Sequence, residues 1–444
     1  MNTASFRAPG RTGALSCKIP AGVLCGLLIT RLVFAADEAP NRRTVTAADL
    51  PPVPATEPAE ALDTFELAQG CRLELVAAEP LVADPVDACF DAWGRMFVAE
   101  MHGYPFSQEP TRLNPQGGGK KDAGIIRLLE DTDGDGRMDR SVVFADKISW
   151  PTSVCCYNGG LFVLAPQYLY YFKDTDGDGR ADVREIVLSG FGRDNVQSLA
   201  NNLKWGLDQK IYLAAGRNPL TLKHRDQSLF PVQGADLRFD PRTEQFEVVT
   251  GGQQFGHSLD DWGNRFVCDI RNPVQQIVLE NRYLARNRSL AVRSGLNDCA
   301  ESGDKVAVFR ASPPEPWRVI NSQRLASDPD GTSPNSEKVA AGFLTSSSGI
   351  TVYRGAAYPE EFYGNIFVGD VAGNVTLRYV MTPDGPSFHA TRVHGKYEFL
   401  ASTDNWFRPV NYVNAPDGTL HVVDMYRETI EHPWSIPDDI KAHL

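Results

Sequence analysis

Two copies of one acidic turn constrain this chain more than any other feature of its sequence. Both copies read Asp-Thr-Asp-Gly-Asp-Gly-Arg, and they begin at Asp131 and Asp174. Apolar runs rich in β-branched and aromatic residues stand on both sides of each copy, which indicates a strand, a tight loop and a second strand. The copies lie roughly 40–45 residues apart, a repeat length typical of β-propeller blades.

The acidic residues of both turns have the spacing of an oxygen cage for calcium. Carboxylates at positions 1, 3, 5 and 9, with glycine at position 6, match the ligands that calcium prefers. Only the second copy has a glutamate at position 12, because Val142 stands there in the first. A metal-free Asp- and Gly-rich β-turn is the alternative. The predicted calcium ligands are Asp131, Asp133, Asp135 and Asp139 in the first loop, and Asp174, Asp176, Asp178, Asp182 and Glu185 in the second.

A polar turn followed by a short β-rich run recurs along the chain. The copies lie at residues 91–98, 157–163, 206–213, 260–267, 362–368 and 416–423. This pattern predicts an all-β fold, a six-bladed β-propeller over residues 63–444 with calcium-type Asp-rich hairpin loops. A β-sandwich with accidental turns is the alternative. One interval is longer than the others, and we interpret residues 283–348 as an inserted loop region over one face.

The N-terminus has the features of an export signal. Basic residues precede a mostly apolar run, and Val33-Phe34-Ala35 forms a cleavage site, so residues 1–35 are predicted to be a signal peptide. Arg31 interrupts the apolar run, so no stable membrane span is expected after cleavage, although an uncleaved anchor is the alternative. We therefore expect an exported, periplasmic protein. Residues 36–62 are rich in Pro, Ala and Glu and are interpreted as a disordered linker.

Charge and cysteine content narrow the classes of function. The formal net charge of −12, with no basic stripe, argues against a nucleic-acid partner. Export from the cytoplasm would permit disulfide bonds among the cysteines that follow the signal peptide, but the sequence does not show how these cysteines pair. The sequence has no Cys-x-x-Cys-His motif, so covalently attached haem is not expected in it.

Several longer phrases resemble those of a known family. They occupy residues 97–101, 205–208, 255–263, 399–409 and 424–434. Together with the acidic loops they resemble the membrane-bound dehydrogenase domain of large exported bacterial proteins of the PVC type. That domain is similar to the soluble quinoprotein glucose/sorbosone dehydrogenases, six-bladed propellers that hold PQQ and calcium. The resemblance implies oxidation of a sugar or other alcohol, with electrons passed to a separate cytochrome c.

The resemblance also implies particular site residues, with one departure from the pattern. Gly216-Arg217-Asn218 matches the quinone-contacting Gly-Arg-Asn of those enzymes, and Arg408 fits the first of their two late arginines, although Val410 stands at the second. Ser198 occupies the place of their general-base histidine. His257 is therefore the best remaining candidate base, although a structural histidine is an equal alternative.

Oxidation of an alcohol by PQQ needs a base for the hydroxyl proton and cations for the cofactor. The predicted catalytic residues are His257, Arg217 and Arg408; the predicted cofactor-binding residues are Arg217, Asn218, Arg408, Asp404, Asn405 and His102. Two functions stay open at this point. One is the quinoprotein-like dehydrogenase, and the other is a non-catalytic, calcium-stabilised propeller that binds carbohydrate or protein, which Ser198 favours.

Overall fold

Short antiparallel strands joined mostly by tight turns make up most of the described chain. The computed structural model describes residues 44–105, 122–224, 227–287, 289, 291–292, 294–327 and 332–444. The predicted signal peptide lies outside these residues. Within them, no helix combines the length and the apolar character needed to cross a membrane.

The first two blades contain the acidic loops. Strand β1, Phe65–Leu67, comes before them. The first blade consists of β2 (Pro85–Phe90), β3 (Met96–Glu100), β4 (Gly124–Glu130) and β5 (Arg140–Ile148). The second blade begins with β6 (Ser153–Tyr157), β7 (Gly160–Ala165), β8 (Tyr168–Lys173) and β9 (Val183–Phe191). The acidic loops connect β4 to β5 and β8 to β9, so the prediction that they are hairpin loops is confirmed.

The third blade is interrupted by a hairpin that belongs to the second. The chain forms β10 (Asn201–Trp205) and β11 (Ile211–Ala214), then the hairpin β12 (Leu220–His224) and β13 (Gln227–Val232), and finally β14 (Ala235–Asp240) and β15 (Gln245–Thr250). Strand β12 pairs with β9 and extends the edge of the second blade, while β14 pairs with β11 and completes the third.

The rest of the chain forms two blades and a smaller sheet. The fourth blade consists of β16 (His257–Leu259), β17 (Arg265–Asp269), β18 (Asn272–Ile277) and β19 (Leu296–Asp298). The fifth consists of β20 (Ser347–Val352), β21 (Ile366–Asp370), β22 (Val375–Asp384), β23 (Ser387–Arg392) and β24 (Leu400–Ser402). A two-stranded sheet of β25 (Pro409–Asn414) and β26 (Leu420–Asp424) follows them. Strand β1 pairs with β24, so the N-terminal strand joins the fifth blade.

Helices are short and lie between the strands or at the ends of the described chain. The α-helices are α1 (Pro58–Ala61), α2 (Asn281–Leu284), α3 (Pro316–Ala326), α4 (Asn335–Lys338) and α5 (Asp438–Lys441); single 3₁₀ turns are Ala47–Asp49, Leu62–Thr64, Val196–Ser198, Gly303–Lys305, Glu360–Phe362 and Pro433–Ser435. Helix α3 is the longest and begins at a proline, which suits the first turn of a helix.

The all-β propeller prediction is confirmed, but the prediction of six blades is wrong. The innermost strands β2, β6, β10, β16, β20 and β25 pack side by side in that order, and β25 returns to β2. Five of the sheets have four or more strands, whereas the sixth recurrence of the turn phrase forms only the β25–β26 hairpin. Residues 425–444, which follow β26, contain a 3₁₀ turn and the short helix α5 and no further strand.

Apolar runs form the strands that are covered on both faces by neighbouring blades. Strand β7 reads Gly-Leu-Phe-Val-Leu-Ala and is buried along its whole length. Its side chains alternate between two apolar clusters: Phe162 and Leu164 face one, while Leu161 and Val163 face the other. This burial on both sides explains why β7 has a continuous apolar run instead of the alternation expected of a half-exposed strand.

Residues 44–62, the described part of the predicted disordered linker, are ordered, so that interpretation is wrong for them. Val45 and Leu50 are buried against Trp317, Ile436 and Ile440. Their apolar side chains cover α3 and the end of the chain, which supplies the contacts that the composition of the segment did not indicate. The segment is therefore part of the folded unit.

The interval predicted as an insertion, residues 283–348, has two parts. Residues Leu296–Asp298 form β19 and complete the fourth blade, so they are not part of a loop. Further along, Glu315 and α3 lie against the loop that leads into β25, where Glu315 contacts Arg408. This second part therefore covers Arg408, one of the predicted site residues.

Candidate functional site

The predicted catalytic and cofactor-binding residues lie towards one end of the propeller, which we call the upper face. It consists of the loops that precede the innermost strands and the loops that follow the second strands, because these two sets meet at the same end of every blade. His102 follows β3, Arg217 and Asn218 follow β11, and Arg408 directly precedes β25. His257 is the first residue of the innermost strand β16, at the same end.

His102 lies between two carboxylates. Its Nδ1 atom is 2.9 Å from Oδ2 of Asp84, and its Nε2 atom is 3.0 Å from Oε2 of Glu100. Hydrogen bonds to Asp84 and Glu100 raise the pKa of His102 to about 9, so the imidazolium donates to both at neutral pH. The side chain is 25% exposed, whereas that of Glu100 is fully buried. His102 is thus a protonated, partly accessible group held in one orientation.

Arg427 and Arg127 complete the surroundings of His102. Nε of Arg427 donates to Oδ1 of Asp84 at 2.7 Å, and Nε of Arg127 donates to Glu100 at 3.2 Å. Burial would raise the pKa of Asp84, but the hydrogen bonds from His102 and Arg427 hold it below its usual value. Each cation here has a carboxylate partner, and the three cations share two carboxylates.

Arg408 is fully buried, and its guanidinium is engaged within the protein. It donates to the carbonyl oxygens of Val371, Arg427 and Glu428, and to Oε1 of Glu315 at 3.0 Å. A side chain in this state offers no cation to a cofactor unless the contacts of the inserted segment open. The structure therefore places Arg408 beneath the upper face instead of on it.

Glu315 is the centre of a buried ion cluster that also contains Arg310 and Arg318. Its carboxylate lies 3.1 Å from Nε of Arg318 and 3.7 Å from Nη1 of Arg310. Burial would raise the pKa of Glu315, yet Arg318, Arg408 and Arg310 together hold it far below its usual range. The cluster attaches the inserted segment to the loop that leads into β25.

Asp404 and Asn405 are turn residues that belong to the same network. Asp404 accepts hydrogen bonds from the backbone N–H of Trp406 and from the hydroxyl of Tyr426. Oδ1 of Asn405 accepts from Nη2 of Arg310 at 2.9 Å. Both side chains thus orient neighbouring protein groups, and Asn405 is joined to Arg408 through Arg310 and Glu315.

A continuous set of contacts, which we call the upper-face network, connects these groups. It runs from Asn405 to Arg310, Glu315, Arg408, Arg427, Asp84, His102 and Glu100. The network joins the first blade, the β25–β26 hairpin and the inserted segment. Its partly accessible part lies around His102 and Asp84.

Arg217, Asn218 and His257 lie outside this network. The guanidinium of Arg217, 46% exposed, forms an ion pair with Asp269. Asn218 is buried and donates to the carbonyl oxygens of Asn195 and Ser198, so it holds the preceding loop. The three predicted catalytic residues therefore share no described hydrogen bond or ion pair within the part of the chain that the structure covers.

His257 is buried inside the inner wall of the propeller. Its side chain has no exposed surface, and Nε2 lies 2.8 Å from the carbonyl oxygen of Asn202. Burial, together with the charge of Arg265, lowers the pKa of His257 to about 3. A neutral, weakly basic and enclosed imidazole is poorly suited to take a proton from a substrate.

The acidic loops have the backbone of a cation-binding turn. Gly136 and Gly179 at position 6 have φ values of +90° and +84°, which glycine adopts without strain. Carboxylate oxygens of Asp131, Asp133 and Asp139 lie within 4.8 Å of one another, and so do those of the equivalent residues in the second loop, namely Asp174, Asp176 and Asp182.

Three of the predicted calcium ligands lie outside these two groups as the structure describes them. Asp135 and Asp178 accept hydrogen bonds from the backbone N–H groups of Arg137 and Arg180. Glu185 lies on β9 opposite Tyr171 instead of reaching into the loop. In each loop, three of the predicted carboxylates lie close enough together to bind one cation, so the predicted ligand set fits calcium only in part.

Sequence reasoning missed several members of the upper-face network. Glu100 and Arg427 stand inside phrases that carried the family resemblance, so a functional signal was present without an assigned role. Asp84 and Glu315 had no such signal, because each contacts an arginine from a distant part of the chain, Arg427 and Arg408 respectively. Asp84 meets Arg427, which is 343 residues away along the chain.

A small cavity lies beside the network, between the N-terminal segment and α3. Its walls include Leu50, Val53, Glu315, Trp317 and Glu428, and its volume is about 110 Å³. Ligand sites for molecules of drug size usually enclose about 300–1,000 Å³. The cavity is therefore too small for a tricyclic cofactor without movement of the covering segments.

Comparison with known proteins identifies the family of this chain but gives no information on its activity. A family model described as "Domain of unknown function (DUF7133)" matches residues 57–444. The chain belongs to this family. No curated protein matches the chain.

Solved structures with a similar fold include sugar dehydrogenases. The holo PQQ domain of pyranose dehydrogenase from Coprinopsis cinerea is 12% identical, with a TM-score of 0.44, covering 81% of this chain and 94% of that one. The apo soluble aldose sugar dehydrogenase from Escherichia coli is 12% identical, with a TM-score of 0.40, covering 77% and 93%.

An auxiliary nutrient binding protein from Bacteroides thetaiotaomicron is also similar, at 9% identity and a TM-score of 0.42, covering 77% of this chain and 67% of that one. These values describe a distant likeness of fold, and they carry no argument about the activity of this member of the DUF7133 family.

Proposed function

We propose that the upper face of this propeller binds a neutral, hydroxyl-rich small molecule, a sugar or another alcohol, beside His102. The arrangement of His102 between Asp84 and Glu100 carries this proposal. Both N–H groups of the imidazolium donate to these carboxylates and hold them in place, so the partly accessible carboxylate of Asp84 can accept a hydrogen bond from a ligand hydroxyl. Such fixed polar groups give orientation to a small ligand.

The pairing of the arginines on this face supports a neutral ligand over an anionic one. Arg408 is paired with Glu315, Arg427 with Asp84, and Arg217 with Asp269. An anion would have to displace a carboxylate from its arginine, which costs the desolvation of both ions. Hydroxyl groups can join the existing hydrogen bonds without breaking these pairs.

We expect the His102→Gln variant to bind such a ligand at least tenfold more weakly than the unchanged protein. Glutamine cannot form the charged hydrogen bonds that link Asp84 and Glu100, so the acceptor oxygens lose their fixed positions. Calorimetric titration with a panel of neutral aldoses and alditols measures the change. His224→Gln is the matched control, because His224 also pairs with a carboxylate and is 22% exposed, but lies on β12 away from the upper face.

The same titrations separate binding from catalysis. The proposal would be contradicted if no neutral sugar or alditol in the panel bound to the protein, or if both variants lost the same amount of binding affinity. Adding PQQ, calcium and a reducible dye to the best ligand then tests oxidation. Dye reduction would support the second candidate function, and unchanged dye with retained sugar binding would support a non-catalytic propeller.

The second candidate is a quinoprotein-like dehydrogenase that passes electrons to a separate cytochrome c. One observation favours it: Arg217, within the Gly216–Asn218 loop, is half exposed on the upper face. The residues fit PQQ only in part, because Arg408 is buried and His257 is enclosed. Arg217 would hold a cofactor carboxylate if Asp269 released it, and PQQ would supply the hydride acceptor. No catalytic step is assigned on this basis.

We also propose that calcium binds both acidic loops and stabilises the propeller. A cation bound only by the folded state adds about 2.7 kcal/mol at a hundredfold excess over Kd. Asp176→Asn should remove most of the second loop's share of the calcium-dependent rise in melting temperature. Asp146→Asn is the control, because Asp146 is an exposed β5 residue outside the loops. Identical melting in calcium and in chelator would rule out the proposal.

The proposed setting of this protein is outside the cytoplasm. The features of residues 1–35 support cleavage after Ala35 and release into the periplasm. Mass spectrometry of the N-terminus of the exported protein tests this, because an intact Met1 in the membrane fraction would indicate an anchor instead.

A further inference from the structure

Two cysteines face each other between the first and second blades. Cys89 lies on β2 and Cys156 on β6, the innermost strands of these blades, which pack side by side but belong to different sheets. Their Sγ atoms are 3.5 Å apart. A disulfide has its sulfur atoms about 2 Å apart, so modest side-chain rotations would bring the pair to bonding distance. Both side chains are only partly buried, which leaves a route for a reagent.

We propose that Cys89 and Cys156 form a disulfide bond that joins the first and second blades when the chain meets a thiol-oxidising partner. The partner is a reactive disulfide, on a protein or a small molecule. One cysteine thiolate attacks it and forms a mixed disulfide, and the other thiolate then displaces the partner. The two cysteines lose two protons and two electrons, the two sulfur atoms of the partner take up both, and the partner leaves as two thiols.

The neighbouring cysteines do not share this arrangement. Cys155 is next to Cys156, but successive side chains of a strand point to opposite faces, and Cys155 packs in the cluster between the second and third blades. The Sγ atom of Cys268 donates to the carbonyl oxygen of Phe255, and that of Cys299 lies near Ser387. The pairing of Cys89 with Cys156 is therefore selective within the described chain.

Such a bond would act on stability through the unfolded chain. It joins residues that are 67 positions apart, so the unfolded chain would lose the freedom of a long loop. In the folded state it would connect two innermost strands that share no backbone hydrogen-bond ladder. The bond would therefore oppose separation of the first blade from the second.

Peptide mapping of the full-length protein tests the proposal. The protein is incubated with oxidised glutathione, denatured, alkylated and digested, and the peptides are identified by mass spectrometry. We expect a peptide pair linked through Cys89 and Cys156, with Cys71, Cys155, Cys268 and Cys299 alkylated. We also expect a melting temperature several degrees higher than that of the reduced protein, and reversal by reductant.

Two variants make the test specific. Cys71→Ser should keep both the linked peptides and the reductant-sensitive shift in melting temperature. Cys156→Ser should lose both. Recovery of Cys89 and Cys156 as alkylated peptides from the oxidised protein would overturn the proposal, and so would a linkage of either residue to another cysteine. Because the unsubstituted protein is compared with and without reductant, the result does not depend on the folding of a variant.

Discussion

Replacing Glu315 by glutamine is expected to lower the free energy of unfolding by about 3–5 kcal/mol, the usual cost of removing one partner from a buried ion pair. Within the described chain, Glu315 is the carboxylate within 4 Å of both Arg310 and Arg408. The side chains of these arginines are 7% and 0% exposed, so water cannot replace the lost charge. Glutamine keeps the shape and one acceptor but leaves two buried cations uncompensated.

Urea unfolding of the variant measures this loss, with Glu337→Gln as the control. Glu337 also pairs with an arginine, Arg271, but its side chain is 48% exposed, and exposed pairs contribute about 0–1 kcal/mol. A Glu315 variant as stable as this control would show that the cluster does not hold the inserted segment in place. The low pKa of Glu315 also means that acidification removes this contribution only well below the usual carboxylate range.

The contribution of His257 to stability is expected to fall as the pH drops from about 6.5 towards 3, because His257 is buried in its neutral form. The pKa of His257 is lowered to about 3 in the folded protein, whereas an unfolded histidine has a pKa of about 6.5. Below pH 6.5 the unfolded chain therefore binds a proton that the folded protein does not bind. The loss reaches up to about 4 kcal/mol at the acid end of this range, at about 1.4 kcal/mol per pH unit.

The His257→Gln variant should lack this dependence on pH. Glutamine can still donate to the carbonyl oxygen of Asn202, but it does not titrate. The difference between its pH profile and that of the unchanged protein isolates the histidine, whatever the variant's stability at neutral pH. His389→Gln is the control, since His389 is exposed on β23. Parallel profiles for the unchanged protein and His257→Gln would mean that His257 takes up a proton as readily in the folded protein as in the unfolded chain, and the base role would return to consideration.

Local features of this fold could be predicted from the sequence, whereas the site depended on distant contacts. The acidic hairpins and the run 211–213 in β11 follow from spacing and turn chemistry within a few residues. The prediction of a complete sixth blade was wrong. Its turn and its two strands follow from neighbouring residues, whereas the number of outer strands depends on packing between distant parts of the chain. The ordered segment 44–62 was missed for the same reason.

The candidate site shows the same division. Arg217 and His102 lie at the end of the blades that the motif positions indicated, because each follows a recognisable strand. No pattern in the sequence indicated that Arg408 would be buried, since its enclosure depends on Glu315, 93 residues earlier in the chain. A buried and an exposed arginine look alike in a sequence, and only the packing of an inserted segment separates them.

The pairing of β1 with β24 sets an order for the maturation of this protein. Phe65 pairs with Ser402, so the fifth blade is complete only after residues 65–402 have been synthesised. Contacts so distant along the chain form slowly, because a long loop must close first. Until that moment β1 has no partner strand, and an unpaired strand edge is a template for association with other chains. We therefore expect nascent chains to be prone to association until β1 and β24 pair, so rapid folding or a chaperone would raise the yield of the folded propeller.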